Sequence, residues 1–143
     1  QKKGVEVTCI DISPKMAEAC VKKGLQAYVM DFYSIDFQDE AFDAVWAMNS
    51  LLHVPKSELD VVLKNVQRIL KPGGIFYLGV YGGYEFEGIW NGDSYNPKRF
   101  FSFYKDEQIK EIVSDFFEVL SFEVIEQGEG SPCYQGLVVR KST

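Results

Sequence analysis

The stretch "VEVTCIDISPKM", residues 5–16, decides the fold because it joins a strand pattern directly to the start of a helix. Apolar and β-branched residues alternate with others over residues 5–10, which is typical of a strand. Ser13 and Pro14 then supply an N-cap and a proline at the first helical position, so a helix is predicted over about residues 15–23. Asp11 therefore lies at the carboxyl end of the strand.

A second strand follows the helix and ends in the same way. Gly24 is placed to end the helix, and "LQAYVM", residues 25–30, predicts a short strand. The next residue is again an aspartate, Asp31. The first part of the chain thus predicts two strands that each end at a carboxylate.

The alternation of strands and helices continues to residue 80. The apolar run over residues 42–48 predicts a parallel strand covered on both faces. A helix with an apolar stripe opens at Ser57, and "KPGG", residues 71–74, ends it and turns the chain into a strand over residues 75–80. This order predicts an α/β fold with a mainly parallel sheet.

The C-terminal half departs from this order. Residues 81–103 keep neither a helical nor a strand period, which predicts an irregular insertion rich in aromatic residues on the substrate side of the domain. A helix follows near residues 109–116. "FEVLSFEVIEQ" and "CYQGLVVRK" then predict two strands joined by a glycine-rich turn too short for a crossover helix, so they should pair antiparallel. Residues 1–143 are predicted to form one domain.

Composition excludes several classes of function. The 143 residues carry a formal net charge of −6, and the basic residues are scattered, so no nucleic-acid partner is predicted. No apolar run is long enough for a membrane span and no signal-like segment opens the sequence, so neither a membrane partner nor secretion is predicted, and the protein is predicted to be cytoplasmic. Cys9, Cys20 and Cys133 lack metal-site spacing, which predicts buried reduced thiols and no metal. The oligomeric state stays open.

The two strand-end carboxylates indicate a binding site. In open α/β sheets, ligands bind beyond the carboxyl ends of the strands, where Asp11 and Asp31 are both predicted to lie. One carboxylate there can accept hydrogen bonds from both ribose hydroxyls, and a second, one strand over, can accept from an adenine amino group. The alternative is that both residues are ordinary helix caps or loop carboxylates.

The ordered set of motifs resembles the class I S-adenosylmethionine-dependent methyltransferases of the small-molecule type. The set consists of "VEVTCIDISPKM", "VMDF", "FDAVWAMNSLLHVP", "ILKPGG" and the terminal antiparallel pair, and it runs over residues 5–140. The resemblance implies a Rossmann-like sheet with helices on both faces, S-adenosylmethionine as cofactor and methyl transfer to a small-molecule acceptor.

The resemblance also implies roles for individual residues. It assigns Asp11 to the ribose, Ile12 to the adenine face and Asp31 to the adenine amino group. It assigns the backbone N–H of Phe32 to a ring nitrogen of adenine. The remaining cofactor-binding candidates are Met16, from the Asp-x-Ser-x-x-Met motif, and Met48 and Asn49, which match the segment lining the methionine half of the cofactor.

One part of the family pattern is missing. Members normally begin with a strand and a "GxGxG" loop, and the present sequence starts about where the helix after that loop should end. The missing strand would be the central one of the sheet. Either the sequence is a portion of a longer gene product, or another chain completes the fold, so it stays open whether this chain alone binds cofactor.

Candidates for catalysis and substrate binding come from the middle of the chain. His53 could deprotonate a substrate hydroxyl or amine, and its alternative role is a structural histidine before Pro55. Tyr81, Tyr84, Trp90 and Tyr95 could form a lid over an apolar or cationic substrate, or bury the loop against the sheet. Arg99 could pair with a substrate carboxylate or form a surface salt bridge.

Three functions remain open from the sequence. The first is the methyltransferase, whole or in part. The second is a fragment of a nicotinamide-dependent oxidoreductase, because an acid ending the second strand also binds a ribose there. The third is a Rossmann-like interaction module without activity, which only the missing glycine loop supports.

Overall fold

The computed structural model describes residues 3–143, and the chain divides into two compact units, Gln1–Phe37 and Gln38–Thr143. The prediction of a single domain stays a prediction. The first unit contains strand β1 (Thr8–Asp11), helix α1 (Pro14–Lys22) and strand β2 (Gln26–Val29). β1 and β2 pair in parallel, with Asp11 opposite Val29.

Helix α1 begins and ends as its sequence predicts. Ser13 is extended, and its side-chain oxygen accepts a hydrogen bond from the backbone N–H of Met16 at 3.4 Å. The N–H of Lys23 bonds the carbonyl of Cys20, and Gly24 follows at φ +79°, a left-handed conformation that favours glycine. Local capping chemistry therefore sets both boundaries of the helix.

The second unit contains a four-stranded mixed sheet and a separate hairpin. The sheet order is β3-β4-β8-β7, with β3–β4 parallel and the other two pairs antiparallel. The hairpin pairs β5 with β6. The elements in chain order are β3 (Phe42–Met48), two 3-10 turns (Leu51–His53 and Lys56–Glu58), α2 (Leu59–Ile69), β4 (Leu70–Gly82), β5 (Phe86–Ile89), β6 (Phe100–Phe103), α3 (Asp106–Ser114), β7 (Glu118–Ile125) and β8 (Cys133–Arg140).

The core of this unit lies between the sheet and its helices. The rings of Phe76 on β4 and Phe117 after α3 lie 5.6 Å apart, and Gln67 of α2 donates to the carbonyl of Phe116. Burial of apolar side chains drives this packing. The fully buried residues on α2 and on the central strands include Val62, Leu63, Phe76, Leu78, Leu137 and Val139.

Several boundaries differ from their predictions. The helix begins at Leu59 rather than Ser57, because residues 56–58 form a 3-10 turn without a side-chain cap. Residues 71–74 do not precede the strand but form a bulge within β4, since the register shifts there against β3. The predicted antiparallel pairing of β7 and β8 is confirmed.

The prediction that residues 81–103 are irregular throughout is wrong. The end of β4 and strands β5 and β6 lie within them, whereas residues 83–85 and 90–99 are outside helices and strands. Phenylalanine and isoleucine fill five of the eight positions of the two strands, FEGI and FFSF, and their side chains favour a pleated surface. Their aromatic density obscured the period of two, because β6 is apolar at three of its four positions.

The prediction that β3 is covered on both faces is also wrong. Trp46 is 69 % exposed and Met48 is 51 % exposed. β3 lies at the edge of the four-stranded sheet, with β4 as its neighbour among the described strands. The ring of Trp46 stacks on Tyr77 with centroids 4.0 Å apart.

The cysteines differ in burial from their prediction. All three are free thiols, as expected, but each is partly exposed rather than buried. Burial and the neighbouring Cys20 raise the pKa of Cys9, which keeps it in the thiol form. Within residues 3–143, no helix has both the length and the apolar character needed to cross a bilayer.

Candidate cofactor and acceptor sites

The carboxylates of Asp11 and Asp31 are held by the same local geometry. Oδ1 of Asp11 accepts a hydrogen bond from the backbone N–H of Ser13 at 2.8 Å. Oδ1 of Asp31 accepts one from the N–H of Tyr33, also at 2.8 Å. Each side chain therefore turns back onto its own loop. Among the described residues, the second oxygen of each carboxylate has no hydrogen-bond donor, so both can receive hydrogen bonds from a ligand.

The two carboxylates lie at the ends of neighbouring strands. β1 and β2 are parallel, and the N–H of Met30 donates to the carbonyl of Asp11 at 3.1 Å. Asp31 is the next residue along the chain. The first unit therefore places both acids at the carboxyl edge of its strand pair, as predicted.

Three further cofactor candidates lie in the first unit. Ile12 is 70 % exposed and Met16 is 55 % exposed, although both are apolar. Phe32 is partly buried, and its ring lies 5.4 Å from that of Tyr33. Exposed apolar side chains beside hydrogen-bond acceptors are the combination that binds a ligand with an apolar face and polar edges.

Met48 and Asn49 lie at the carboxyl end of β3 in the second unit. Asn49 has φ +56°, which is unusual for a residue other than glycine. Its N–H donates to the carbonyl of Gly79 at 2.9 Å, which fixes this backbone conformation. Residues held in such conformations concentrate at functional sites.

His53 is held by one ring nitrogen. Its Nδ1 lies 2.8 Å from the carbonyl oxygen of Phe100, so Nδ1 carries the proton and donates. Nε2 then has a free lone pair, with no partner among residues 3–143. The imidazole also packs edge-on against Phe101 with centroids 4.6 Å apart. This tautomer leaves Nε2 able to accept a proton.

The aromatic candidates cluster around the β5–β6 hairpin. The ring of Trp90 lies edge-on to Phe101 and Phe103, with centroids 5.3 and 5.4 Å away. Tyr84 lies edge-on to Phe103 at 5.4 Å. Tyr81, at the end of β4, packs against Tyr134 at 6.2 Å. Trp90 and Tyr84 are therefore joined through the two buried phenylalanines of β6, whereas Tyr81 packs separately on Tyr134.

An open cavity of about 360 Å³ lies beside this cluster. The cavity brings together three predicted substrate residues, Tyr81, Trp90 and Arg99, and leaves out Tyr84. Phe101 joins them in the wall, so the ring that contacts His53 also faces the cavity. Polar side chains, among them Ser94, Gln127 and Ser131, complete the wall, so the lining combines three aromatic rings with polar groups and the Asp93–Arg99 pair.

Arg99 forms an ion pair with a residue that the sequence did not reveal. Its Nη2 and Nε donate to the two carboxylate oxygens of Asp93 at 2.7 and 2.9 Å. The Asp93 side chain is only 2 % exposed, and the hydrogen bonds from Arg99 hold the pKa of its carboxyl well below the usual range. Asp93 lies in "NGDSYNP", where every residue type except Tyr95 is common in turns, so no pattern distinguished it.

Comparison with known proteins identifies the family. The profile of the methyltransferase domain family matches residues 1–78, more than half of the chain. The chain belongs to this family. The predicted class, the S-adenosylmethionine-dependent methyltransferases with a Rossmann-like α/β fold, is thereby confirmed, and S-adenosylmethionine is the cofactor of the class.

The curated relatives of this methyltransferase domain include enzymes named for apolar acceptors. Botryococcene C-methyltransferase of Botryococcus braunii is 40 % identical over 103 residues, covering 66 % of this chain and 25 % of that protein. Squalene methyltransferase 1 of the same organism is 44 % identical over 81 residues, covering 51 % and 21 %. Sterol 24-C-methyltransferase of Aspergillus fumigatus is 47 % identical over 51 residues, covering 36 % and 12 %. The chain thus spans a quarter or less of the length of these relatives.

Solved structures share the fold. A 1,6-didemethyltoxoflavin-N1-methyltransferase of Burkholderia thailandensis, with bound S-adenosylhomocysteine, matches 99 % of this methyltransferase domain and 64 % of its own chain at a TM-score of 0.79 and 16 % identity. An S-adenosylmethionine-dependent methyltransferase of Methanosarcina mazei matches 98 % and 84 % at a TM-score of 0.83 and 19 % identity. At these identities the likeness shows the fold alone.

Proposed function

We propose that this chain serves methyl transfer from S-adenosylmethionine to an apolar small molecule of the sterol or terpenoid class. The observation that carries the proposal is the pair of strand-end carboxylates, each held through one oxygen by its own loop and open at the other. Because S-adenosylmethionine is the cofactor of the family, we take it as the ligand of these two acids. The names of the curated relatives give the acceptor class.

The residues of the first unit fit the adenosine part of the cofactor. Asp11 and Asp31 are acceptors only, so they suit the ribose hydroxyls and the adenine amino group, which donate. The exposed side chains of Ile12 and Met16 suit a flat apolar ring, and we assign the N–H of Phe32 to a ring nitrogen. Met48 and Asn49 are assigned to the methionine half. When bound, the cofactor supplies a methyl group made electrophilic by its sulfonium.

The aromatic cavity suits a hydrocarbon acceptor. Tyr81, Trp90 and Phe101 present ring faces and edges, which bury apolar surface and also attract positive charge. A terpenoid or sterol double bond carries no proton that must be removed before it reacts. The task of the walls is then to hold the acceptor in place and exclude water. Tyr84 packs on Phe103 and does not line the cavity.

His53 is proposed as the base that removes a proton after the new carbon–carbon bond has formed. Methyl transfer to an alkene carbon must be balanced by loss of a proton from the acceptor. Nδ1 of His53 is committed to the Phe100 carbonyl, and its ring contacts Phe101 in the cavity wall. Nε2 is therefore the ring nitrogen left to accept the proton, although His53 reaches the cavity wall only through its contact with Phe101.

Calorimetric titration with S-adenosylhomocysteine tests the cofactor assignment, with NADH as the control ligand. Binding of S-adenosylhomocysteine alone supports the methyltransferase and excludes the oxidoreductase. Binding of NADH alone would reverse that conclusion. Binding of neither would mean that the 143-residue chain lacks a usable cofactor site, which would overturn the proposal for this chain and favour the interaction module. Squalene, titrated in parallel, tests the acceptor class.

A further inference from the structure

We propose that Gly92, Asp93 and Arg99 lock the indole of Trp90 in place and thereby set the width of acceptor that the cavity admits. The inference rests on the proposed function, since it concerns the acceptor of that same site. Trp90 would be the residue that determines specificity, and the other three would be positioning residues. The argument begins with the turn that joins β5 to β6.

Backbone hydrogen bonds close this turn at both ends. The N–H of Trp90 donates to the carbonyl of Arg99 at 3.3 Å, and the N–H of Asp93 donates to the carbonyl of Trp90 at 3.2 Å. Lys98 Nζ donates to the carbonyls of Asn91 and Asp93. The residues between Trp90 and Arg99 therefore form one closed piece of chain.

The Asp93 carboxylate is the centre of that piece. Beyond the two bonds from the Arg99 guanidinium, it accepts the backbone N–H of Arg99 at 2.9 Å and that of Tyr95 at 3.4 Å. The guanidinium also lies over the ring of Tyr95, 4.0 Å from its centroid. A buried carboxylate with a two-pronged arginine partner has a defined geometry that a lysine cannot reproduce. The charge of Arg99 is already neutralised, so this arginine is better suited to holding the turn than to binding an anionic substrate.

Gly92 is the residue that lets the indole fold back over the turn. A Cβ atom at this position would lie 2.6 Å from Cε2 and 2.9 Å from Cη2 of Trp90. The other side of the indole is limited by the rings of Phe101 and Phe103. Trp90 therefore fills a slot with the turn backbone on one side and β6 on the other.

The slot and the cavity share their residues. Trp90, Gly92, Asp93 and Arg99 all line the cavity, so the wall moves only if the turn opens or the indole leaves its slot. A volume of about 360 Å³ lies at the small end of the range for ligand pockets. A displaced indole would take up a large fraction of that space. The lock therefore decides whether a wide, branched hydrocarbon fits.

Two substitutions test the lock by different routes. Gly92→Ala adds one methyl group against the indole, and the backbone of Gly92 is outside the left-handed region, so alanine is compatible with the chain path. Asp93→Asn keeps the shape of the side chain but replaces one acceptor oxygen with a donor facing Arg99. Glu118→Gln is the matched control, because the exposed side chain of Glu118 on β7 accepts from Nε and Nη2 of Arg140 on β8 and lines neither cavity nor slot.

The readouts are chosen to separate positioning from general damage. All variants carry Trp46→Phe, which leaves Trp90 as the only tryptophan. We expect both test variants to shift the emission of Trp90 to longer wavelength and to increase its quenching by acrylamide. Squalene affinity should fall about tenfold, the scale for one misplaced methylene in an apolar pocket. Affinity for tetracosane, an unbranched and therefore narrower hydrocarbon with the same main-chain length as squalene, and for S-adenosylhomocysteine should change less than about twofold, and Glu118→Gln should change nothing.

Each result decides the inference. Unchanged Trp90 emission in Gly92→Ala, or changed emission with unchanged squalene affinity, would overturn it while leaving the proposed function intact. Equal losses for squalene and tetracosane would show that the lock does not select by width, which also overturns it. If the reference protein binds S-adenosylhomocysteine but neither hydrocarbon, the proposed acceptor class fails and the inference fails with it. If Asp93→Asn unfolds, Gly92→Ala decides alone.

Discussion

At the scale of single residues, Asp11 gives the sharpest test of the cofactor site. Asp11→Asn keeps the shape of the side chain and an oxygen that can accept from Ser13, but it replaces the free oxygen with a donor that cannot receive a ribose hydroxyl. We expect the affinity for S-adenosylhomocysteine to weaken by about 1–3 kcal/mol, the scale of a lost charged hydrogen bond. Calorimetry measures the change.

The control for this substitution is Asp36→Asn in the same unit. It makes the same change of charge at an exposed position. The backbone N–H of Asp36 donates to Met30 Sδ, and this bond does not involve the carboxylate. Asp36→Asn should leave the affinity unchanged. Equal losses in both variants would point to net charge rather than to a ribose contact, and no loss in Asp11→Asn would discard its assignment.

Asn49 supports a prediction about stability. Its left-handed backbone costs alanine about 1–2 kcal/mol, whereas glycine adopts it freely. We therefore expect Asn49→Ala to lower the free energy of unfolding by about 1 kcal/mol, with Asn49→Gly close to the original chain. Urea denaturation measures both. If the two variants were equally destabilised, the loss would lie in the Asn49 side chain rather than in its backbone.

At the scale of elements, the pairing of β4 with β8 depends on a glycine. Gly79 lies opposite Gly136, and a Cβ on Gly79 would lie 2.9 Å from Cζ of Tyr134, whose hydroxyl crosses the strand to reach Tyr77. We expect Gly79→Ala to displace this ring and to destabilise the protein by about 1–3 kcal/mol, as overpacking does. Thermal unfolding followed by circular dichroism measures the loss.

A second substitution shows whether the ring is the cause. Tyr134→Ala should cost stability by itself, because Tyr134 is a buried aromatic residue. In the double variant, however, Gly79→Ala should add little, since no ring remains for the new methyl group to displace. Full additivity of the two losses would contradict this explanation.

The elements also show what local sequence can predict. Helix α1 was predictable because Ser13, Pro14 and Gly24 act through bonds only a few residues away. The β5–β6 hairpin was not, because its strands are joined by a ten-residue connection whose closure depends on Asp93 meeting Arg99. The local periodicity of a sequence does not predict an ion pair between two side chains of a loop.

At the scale of the whole molecule, the candidate site was predictable only in part. Asp11 and Asp31 could be found because strand direction places both at one edge of a parallel pair. Gly92 could not, since its role depends on the space beside the Trp90 ring. The exposure of Trp46 likewise follows from the position of β3 at a sheet edge rather than from its apolar sequence.

The stability of the molecule should also depend on pH at both extremes. Asp93 has a pKa below its ordinary value of 3.8, so it stabilises the fold above about pH 4, and this contribution is lost as the pH falls further. Burial raises the pKa of Tyr104 above its ordinary value of 10.0. The unfolded chain therefore ionises first at alkaline pH. Ionisation of Tyr104 therefore does not lower the free energy of unfolding below about pH 10, and it lowers it increasingly as the pH rises above that value.

Tyr104→Phe tests the loss of stability at alkaline pH. The Tyr104 hydroxyl is buried and has no hydrogen-bond partner within residues 3–143, so its removal should be nearly neutral at pH 7. Near pH 11 the variant should be more stable than the original chain by about 1 kcal/mol, because it no longer has a phenol that ionises on unfolding. Urea denaturation at both pH values measures the difference. Tyr84→Phe, at a ring that is 39 % exposed, is the control and should show no gain in stability near pH 11 relative to pH 7. A Tyr104→Phe variant that lost stability at pH 7 and gained none near pH 11 would mean that the hydroxyl has a partner in solution and that burial does not govern its ionisation.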